Sequence, residues 1–374
     1  MMSRTLGWAM ALSLCPGILQ ARPEAVDKVE ERRPVDLAIC LDTSGSMDGL
    51  IESAKRKLWD IVNELARAKP TPRLRVALLT YGNDGHPASE GWVRMDSAFT
   101  EDLDAVYQKL FPLTTNGGTE YVGRVLRVSL DRLDWTPSRD ALKLIFVAGN
   151  ESADQDREVS YRDQCRRAIG AGIVVNAIYC GNPNDGIAPG WREVASLADG
   201  RFASIDQDRG TVEIRTPFDE KLGKLSGELN GTYVAFGAQR EALSANQAAQ
   251  DANAVKAGAP AAAARAESKS GALYRCDWDL VDACKEKGFK LEAVKDEDLP
   301  ENVRKMTPAE RRAYVAEMEK KRAGIQREIA EVTAQRRAYV EEEMKKGGLK
   351  DDQAFDGAVR KAIHEEGEAK GFKF

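Results

Sequence analysis

Asp42-Thr43-Ser44-Gly45-Ser46 sets one carboxylate and two hydroxyls at alternate positions around a glycine. On a tight turn, Asp42, Ser44 and Ser46 can converge as hard oxygen donors, the set magnesium prefers with water completing an octahedron. The ordinary alternative is a helix cap, because Asp and Ser are favoured at helix N-termini. Taken alone, the match favours the cap; its setting makes the metal reading stronger. The loop follows an apolar run at 35–41 and opens an amphipathic stretch at 50–68. In open parallel sheets, ligands bind beyond the carboxyl ends of the strands, where the winding reverses.

Other chemistries have less to work with. The chain has two histidines, His86 in an Asn-Asp-Gly-His-Pro loop and His364 in a charged tail. Both read as surface residues, so neither a Ser-His-Asp triad nor a histidine-rich zinc site has an evident candidate. No glycine loop of the P-loop type is present. A hydrolase using a metal as Lewis acid would need a base, and Asp84, Glu151 and Asp154 are the near candidates. The formal net charge is −5, with Lys and Arg interleaved among acids, which argues against nucleic acid as a partner.

The elements that position the loop follow from hydrophobic period. Residues 35–41, 74–81, 142–148 and 173–179 are short Val/Ile/Leu runs suited to strands buried on both faces. Residues 93–99 alternate like an edge strand, and 202–205 offer a last short one. Helical patterns at 50–68, 103–110, 122–133 and 161–171 lie between them. The expected fold is α/β: a Rossmann-like, doubly wound, mostly parallel sheet, followed by an α-helical C-terminal region. Asn83 and Asp84 beyond the second strand, and Asn182 beyond the strand at 173–179, should line the ligand surface at the same edge; singly, each also reads as a turn residue.

After a closing helix at 218–229, residues 231–270 read as a linker or marginal helix, and 271–374 as a helical, possibly coiled-coil region. Thr307-Pro308-Ala309-Glu310 combines an N-cap, a first-turn proline and a capping-box glutamate. Met318, Ile325, Val332 and Tyr339 then recur every seven residues, with Arg322 and Arg336 at alternate seam positions. That seam can pack on the chain's own helices, or on a second chain and so drive oligomerisation. A final helix is expected over 351–370.

Residues 1–21 have the form of an export signal: Arg4, an apolar core at 6–14, then Pro16-Gly17 before Ala21. The core is too short to span a bilayer, and Leu14 before Cys15 is too large for a lipobox. A periplasmic or extracellular protein without a lipid anchor is expected. Five cysteines then remain. Cys165 and Cys180 can form a disulfide if their helix packs back on its strand, contributing roughly 3 kcal/mol. Cys276 and Cys284 would lie about 12 Å apart on one helix, too far to bridge unless the chain turns. Cys40 reads as core.

Asp42-Thr43-Ser44-Gly45-Ser46-Met47 after a buried strand, with Asn116-Gly117-Gly118-Thr119 some seventy residues later, resembles the metal-ion-dependent adhesion site of the von Willebrand factor type A family. The likeness covers roughly residues 34–230, and Gly190-Trp191-Arg192-Glu193 through Phe202 resembles exported bacterial members, with Trp191 in the core. The resemblance implies that Asp42, Ser44, Ser46 and Thr119 hold a divalent ion, magnesium or else manganese or calcium. A partner, most naturally a protein, would complete the ion's shell with an acidic side chain. It also implies an aspartate at the end of the strand at 142–148, where this chain has Gly149. Asn150 and Glu151 lie beyond the same strand end and can supply a donor; a weakened site is the alternative. The implied function is metal-dependent binding without catalysis. A structural scaffold acting through the helical tail, or a metal-assisted hydrolase, are the other readings.

Overall fold

The computed structural model describes residues 32–205, 213–347 and 355–374. The export signal expected at 1–21 lies outside them. Six strands form one sheet: β1 (Pro34–Asp42), β2 (Arg73–Tyr81), β3 (Val93–Thr100), β4 (Leu142–Gly149), β5 (Val174–Tyr179) and β6 (Phe202–Ser204). Their order is β3-β2-β1-β4-β5-β6, and every neighbouring pair is parallel except β2 with the edge strand β3. The winding reverses between β1 and β4. That switch point puts the carboxyl ends of both strands at the rim where ligands bind in such sheets.

Strand alternation divides the core. Val35, Leu37, Ile39 and Leu41 of β1 face one helical layer, and Ala38 and Cys40 face the other. The first layer holds α1 (Asp48–Arg67) and α2 (Leu103–Leu110); the second holds α3 (Val122–Arg132), α4 (Tyr161–Gly170) and α5 (Ala188–Ser196). The same alternation separates two cysteines expected as a possible pair. Cys165 on α4 belongs to the second layer, whereas Cys180, in phase with Ile178, belongs to the first. The sheet lies between them, and all five described cysteines are thiols.

The rest of the chain is helical and packs on the first layer. It comprises α6 (Asp219–Asn230), α7 (Arg240–Ala257), α8 (Ala259–Ser270), α9 (Leu280–Ala283), α10 (Glu301–Arg304), α11 (Pro308–Gly347) and α12 (Phe355–Ala369). Residues 240–270, in the stretch read as linker or marginal helix, thus form two helices that part at Gly258, where φ is 134°. Their stability comes from tertiary packing. Asn63 of α1 donates to the Ala264 carbonyl (2.8 Å), and Arg265 is fully buried between Asp104 (2.5 Å) and Asp251 (2.9 Å). The Arg265 guanidinium also lies over Trp59 and Tyr274. Lys269, buried beside it, reaches Asp251 at 2.7 Å.

The capping box at the start of α11 forms: Glu310 accepts from Thr307 N at 2.8 Å, and Thr307 Oγ1 accepts from Glu310 N at 3.4 Å. Its apolar seam meets the chain's own helices. Ile325, Ile329 and Val332 pack on α6 and α8, and Val315 and Met318 pack on α9. The seam arginines find anions there: Arg322 reaches Asp279 (2.7 Å) and Asp282 (3.0 Å), and Arg336 reaches Asp219 (2.8 Å). Among the described residues, no helix is long and apolar enough to cross a membrane.

Helix α12 returns to the sheet. Val359, Ala362 and Ile363 join the first-layer core, and Lys373 exchanges two backbone hydrogen bonds with Lys69. His364, expected as a plain surface residue, pairs with Glu64 at 2.7 Å. Glu366 accepts from Asn176 at 3.1 Å, and burial pushes its carboxyl up to about 7.

Two outcomes follow from this packing. Arg265→Ala removes the ion pair of buried Asp104, with Lys269 still on Asp251, and should cost about 3–5 kcal/mol in urea denaturation; a loss under 1 kcal/mol would mean that Arg265 does not hold α8. Between pH 4.5 and about 7 the folded chain keeps a proton on Glu366 that the unfolded chain has released. Stability should therefore fall as pH rises through that window, by roughly 1–3 kcal/mol. Glu366→Gln, neutral throughout, should flatten the decline in denaturation curves taken at pH 5 and pH 7.

Candidate functional site

Three strands end side by side at the switch point. Asp42 on β1 is in register with Tyr81 on β2, and Leu41 is in register with Ala148 on β4, so Gly149 lies beside Asp42. The Asp42 side chain is 0% exposed. One oxygen, Oδ1, accepts from Ser44 N at 2.8 Å and bends the loop into its turn. The other, Oδ2, is buried without a hydrogen-bond partner. Ser44 and Ser46 follow with their hydroxyls 3.3 Å apart, Ser44 buried and Ser46 exposed. Met47, fully buried, pins the far end of the loop into the first-layer core.

The second loop is sewn to the first by backbone. Gly45 N donates to Gly117 O (3.0 Å), and Asn116 N donates to Thr43 O (3.0 Å). Thr119 bridges to Gly82, which brings it to the end of β2 beside Asp42. Asn83, expected on the ligand surface, is instead turned inward. Its amide donates to Thr43 O and Thr114 O, both at 3.0 Å, and so ties the two loops together. Asp84 is exposed beside Gly117, and Asn182 is exposed at the end of β5, where its Oδ1 caps the turn at Asn184 N.

Beyond β4, Asn150 Nδ2 donates to Ser46 Oγ at 2.9 Å, while Asn150 Oδ1 is buried without a partner. Glu151 is exposed, and its carbonyl accepts from Trp191 Nε1 at 2.7 Å. Trp191 itself is core. Asp154, one of three sequence candidates for a base, is held by Arg162 at 2.7 Å. His86 departs from expectation: it is buried, with Nε2 2.9 Å from Thr80 Oγ1. The β2 end and its loop fold over the ring, which no local pattern signals.

Two residues at this rim escaped the sequence reading. Tyr81 is fully buried, and its hydroxyl donates to Ala148 O at 2.9 Å. Glu120, directly after Thr119, is 4% exposed and turns its side chain toward Asp42 and Ser44, with Oε2 unpartnered. Gly82 makes room for this approach. At φ 80° it takes a left-handed conformation, and a Cβ there would come within 2.7 Å of Asp42 Oδ1 and 3.0 Å of Glu120 Cγ. The signal for Glu120 was its adjacency to Thr119; its burial was not visible.

Electrostatically the pair is under-compensated. Burial, the larger effect for each, pushes both carboxyl groups above their usual range, and the charge of Asp42 raises Glu120 further. Exposed Glu151 adds to the rise in both. Among the described residues no group of three or more His, Cys, Asp or Glu forms a metal cluster. The donors here are of a different kind: two carboxyl oxygens without partners, with hydroxyls on the adjoining loop, a set that suits a hard divalent cation.

The fold and rim define a doubly wound α/β domain with a carboxylate-hydroxyl loop at its switch point. Residues 36–213 match the model of the von Willebrand factor type A domain, and the chain carries a domain of that family. Among solved structures, the chain is similar to proximal thread matrix protein 1 from the mussel byssus with a zinc-occupied MIDAS motif, at 16% identity and a TM-score of 0.38. That likeness covers 48% of this chain and 43% of the mussel protein. It is also similar to a von Willebrand factor type A protein from Catenulispora acidiphila (21% identity, TM-score 0.36, covering 47% of this chain and 40% of that one). A third is the pilus adhesin SpaC from Lactobacillus rhamnosus GG (14%, 0.36, 47% and 28%). The chain thus spans less than half of each. No curated protein matches it.

Asn83→Ala removes both side-chain ties and takes a donor from Thr43 O and from Thr114 O, leaving the backbone bonds between the loops in place. It should cost about 1–3 kcal/mol in urea denaturation. Wild-type stability would show that the loops hold together without the amide.

Proposed function

We propose that this protein is a binding module that captures a partner through a divalent cation at the carboxyl edge of its sheet. The observation that carries the reading is the buried, unpartnered Asp42 Oδ2 beneath a loop whose exposed members are Gly45 and Ser46. A cation on Asp42, Ser44, Ser46 and Thr119 would lie beneath the exposed Gly45 and Ser46, from where a partner's carboxylate can approach. Magnesium is the favoured ion, with manganese or calcium as substitutes, because every donor is a hard oxygen. The cation supplies a point of attraction for an acidic side chain; the protein holds the ion and orients the approach. Asn150 is hydrogen-bonded to Ser46, and Glu151 next to it is exposed.

A protein is the natural partner for an open rim of this kind, and the setting we favour is exported, periplasmic or extracellular, on the strength of the leader-like residues 1–21. Binding without catalysis is the reading here; a metal-assisted hydrolase would call on exposed Glu151 or Asp84 as its base. Oligomerisation through α11 is less favoured, because its seam packs against α6, α8 and α9.

Calorimetric titration with magnesium and with manganese should give saturable heat for the wild type and none for Asp42→Ala. Partner capture should then disappear in chelator and return with added ion. Silence in the wild-type titration would sink the metal-dependent reading, and capture indifferent to chelator would move the function to the helical region.

A further inference from the structure

We infer that Glu120 supplies the second carboxylate of the cation site, the role for which the end of β4 offers no side chain. This rests on the metal-binding reading above and specifies which residue completes it. Position 149 is closed to any side chain. A Cβ on Gly149 would come within 2.5 Å of Tyr81 Oη, 3.1 Å of Asp42 Oδ2 and 3.1 Å of the Trp191 ring. The tyrosine hydroxyl is held there by its hydrogen bond to Ala148 O, so the space is built shut.

Of the two side chains just beyond that strand, neither is placed as an inner donor. Asn150 is neutral: its nitrogen donates to Ser46, and the oxygen it leaves without a partner carries no charge. Glu151 is exposed, with its backbone anchored by Trp191. Glu120 differs on each count. It is nearly inaccessible, it carries a charge-bearing oxygen without a partner, and it lies with Asp42 against Gly82. The two side chains press on Gly82 from adjoining sides, with Asp42 Oδ1 at 2.7 Å and Glu120 Cγ at 3.0 Å from the position of a Cβ. Among the described residues, no Lys or Arg forms an ion pair with either carboxylate. Two buried carboxylates in such proximity are costly unless something positive lies between them. A divalent cation there would be matched in charge by Asp42 and Glu120, with the Ser44, Ser46 and Thr119 hydroxyls as neutral donors.

The test is manganese and magnesium titration of the full chain by calorimetry, with manganese electron paramagnetic resonance as a second readout. Glu120→Gln keeps the shape and removes the charge; Glu151→Gln is the control. Glu120→Gln should weaken manganese binding at least about tenfold, and Glu151→Gln should change it by less than about threefold. The melting temperature of Glu120→Gln without metal should equal or exceed the wild type's, since the amide keeps the shape of the carboxyl; that separates lost binding from lost fold. Unchanged manganese affinity in Glu120→Gln overturns the assignment while leaving the metal reading intact. Loss of binding in Glu151→Gln but not in Glu120→Gln hands the role to Glu151. A wild type that binds neither ion removes the metal reading and the assignment together.

Discussion

Asp42 sits at the end of a strand buried at every position but its first, with one carboxylate oxygen committed to the turn and the other unsatisfied. A group like this is expensive to bury, and the surroundings answer it rather than avoid it. The Ser44 amide bends toward it, Gly82 withdraws its side chain to let Glu120 approach, and Gly149 withdraws to admit the Tyr81 hydroxyl. The second loop is stitched on by backbone bonds and by Asn83. The rim is therefore rigid in its scaffold and incomplete in its charge, a combination that suits ion binding better than simple stability.

The helical region joins the domain by a different physical route. Its contacts with α1 and α2 include dry ion pairs, with Arg265 between Asp104 and Asp251 and Lys269 close by. Such pairs contribute little net stability compared with apolar packing, yet breaking one leaves a buried charge. They make the docking selective: α8 seats where its cations meet those two anions. Arg322 does the same for α11 against Asp279 and Asp282.

The α/β architecture was legible because it is written in alternation. The runs at 35–41, 74–81 and 142–148 lie within β1, β2 and β4, and the Asp42 loop opens α1 where the pattern placed it. What stayed hidden depended on parity or on distant burial. Cys180 is in phase with Ile178, on the opposite face of the sheet from Cys165, so a helix packed back on its strand does not bring the two together. Helices α7 and α8 looked marginal because the stretch is rich in Ala, Gln and Asn and broken by Gly258 and Pro260, while the buried Arg265 and Lys269 that anchor α8 are types that read as solvated. Glu120 and His86 sit in loops, where no periodicity distinguishes inward from outward. Gly149 was seen as a missing donor, and only the packing of Tyr81 shows why the position is empty of side chain.

The return of the C-terminus has a geometric consequence for how the molecule can be held. Lys373 pairs with Lys69, and Arg33 donates to Lys370 O, so the start of β1 and the end of the chain meet at the amino edge of the sheet. The nine residues of β1 span roughly 30 Å from there to Asp42. A tether fixed at Phe374, to a bead or to a sensor surface, therefore leaves from the pole opposite the candidate site. Immobilised that way, the chain would present Ser46 outward, and neighbouring copies would face solution in the same direction.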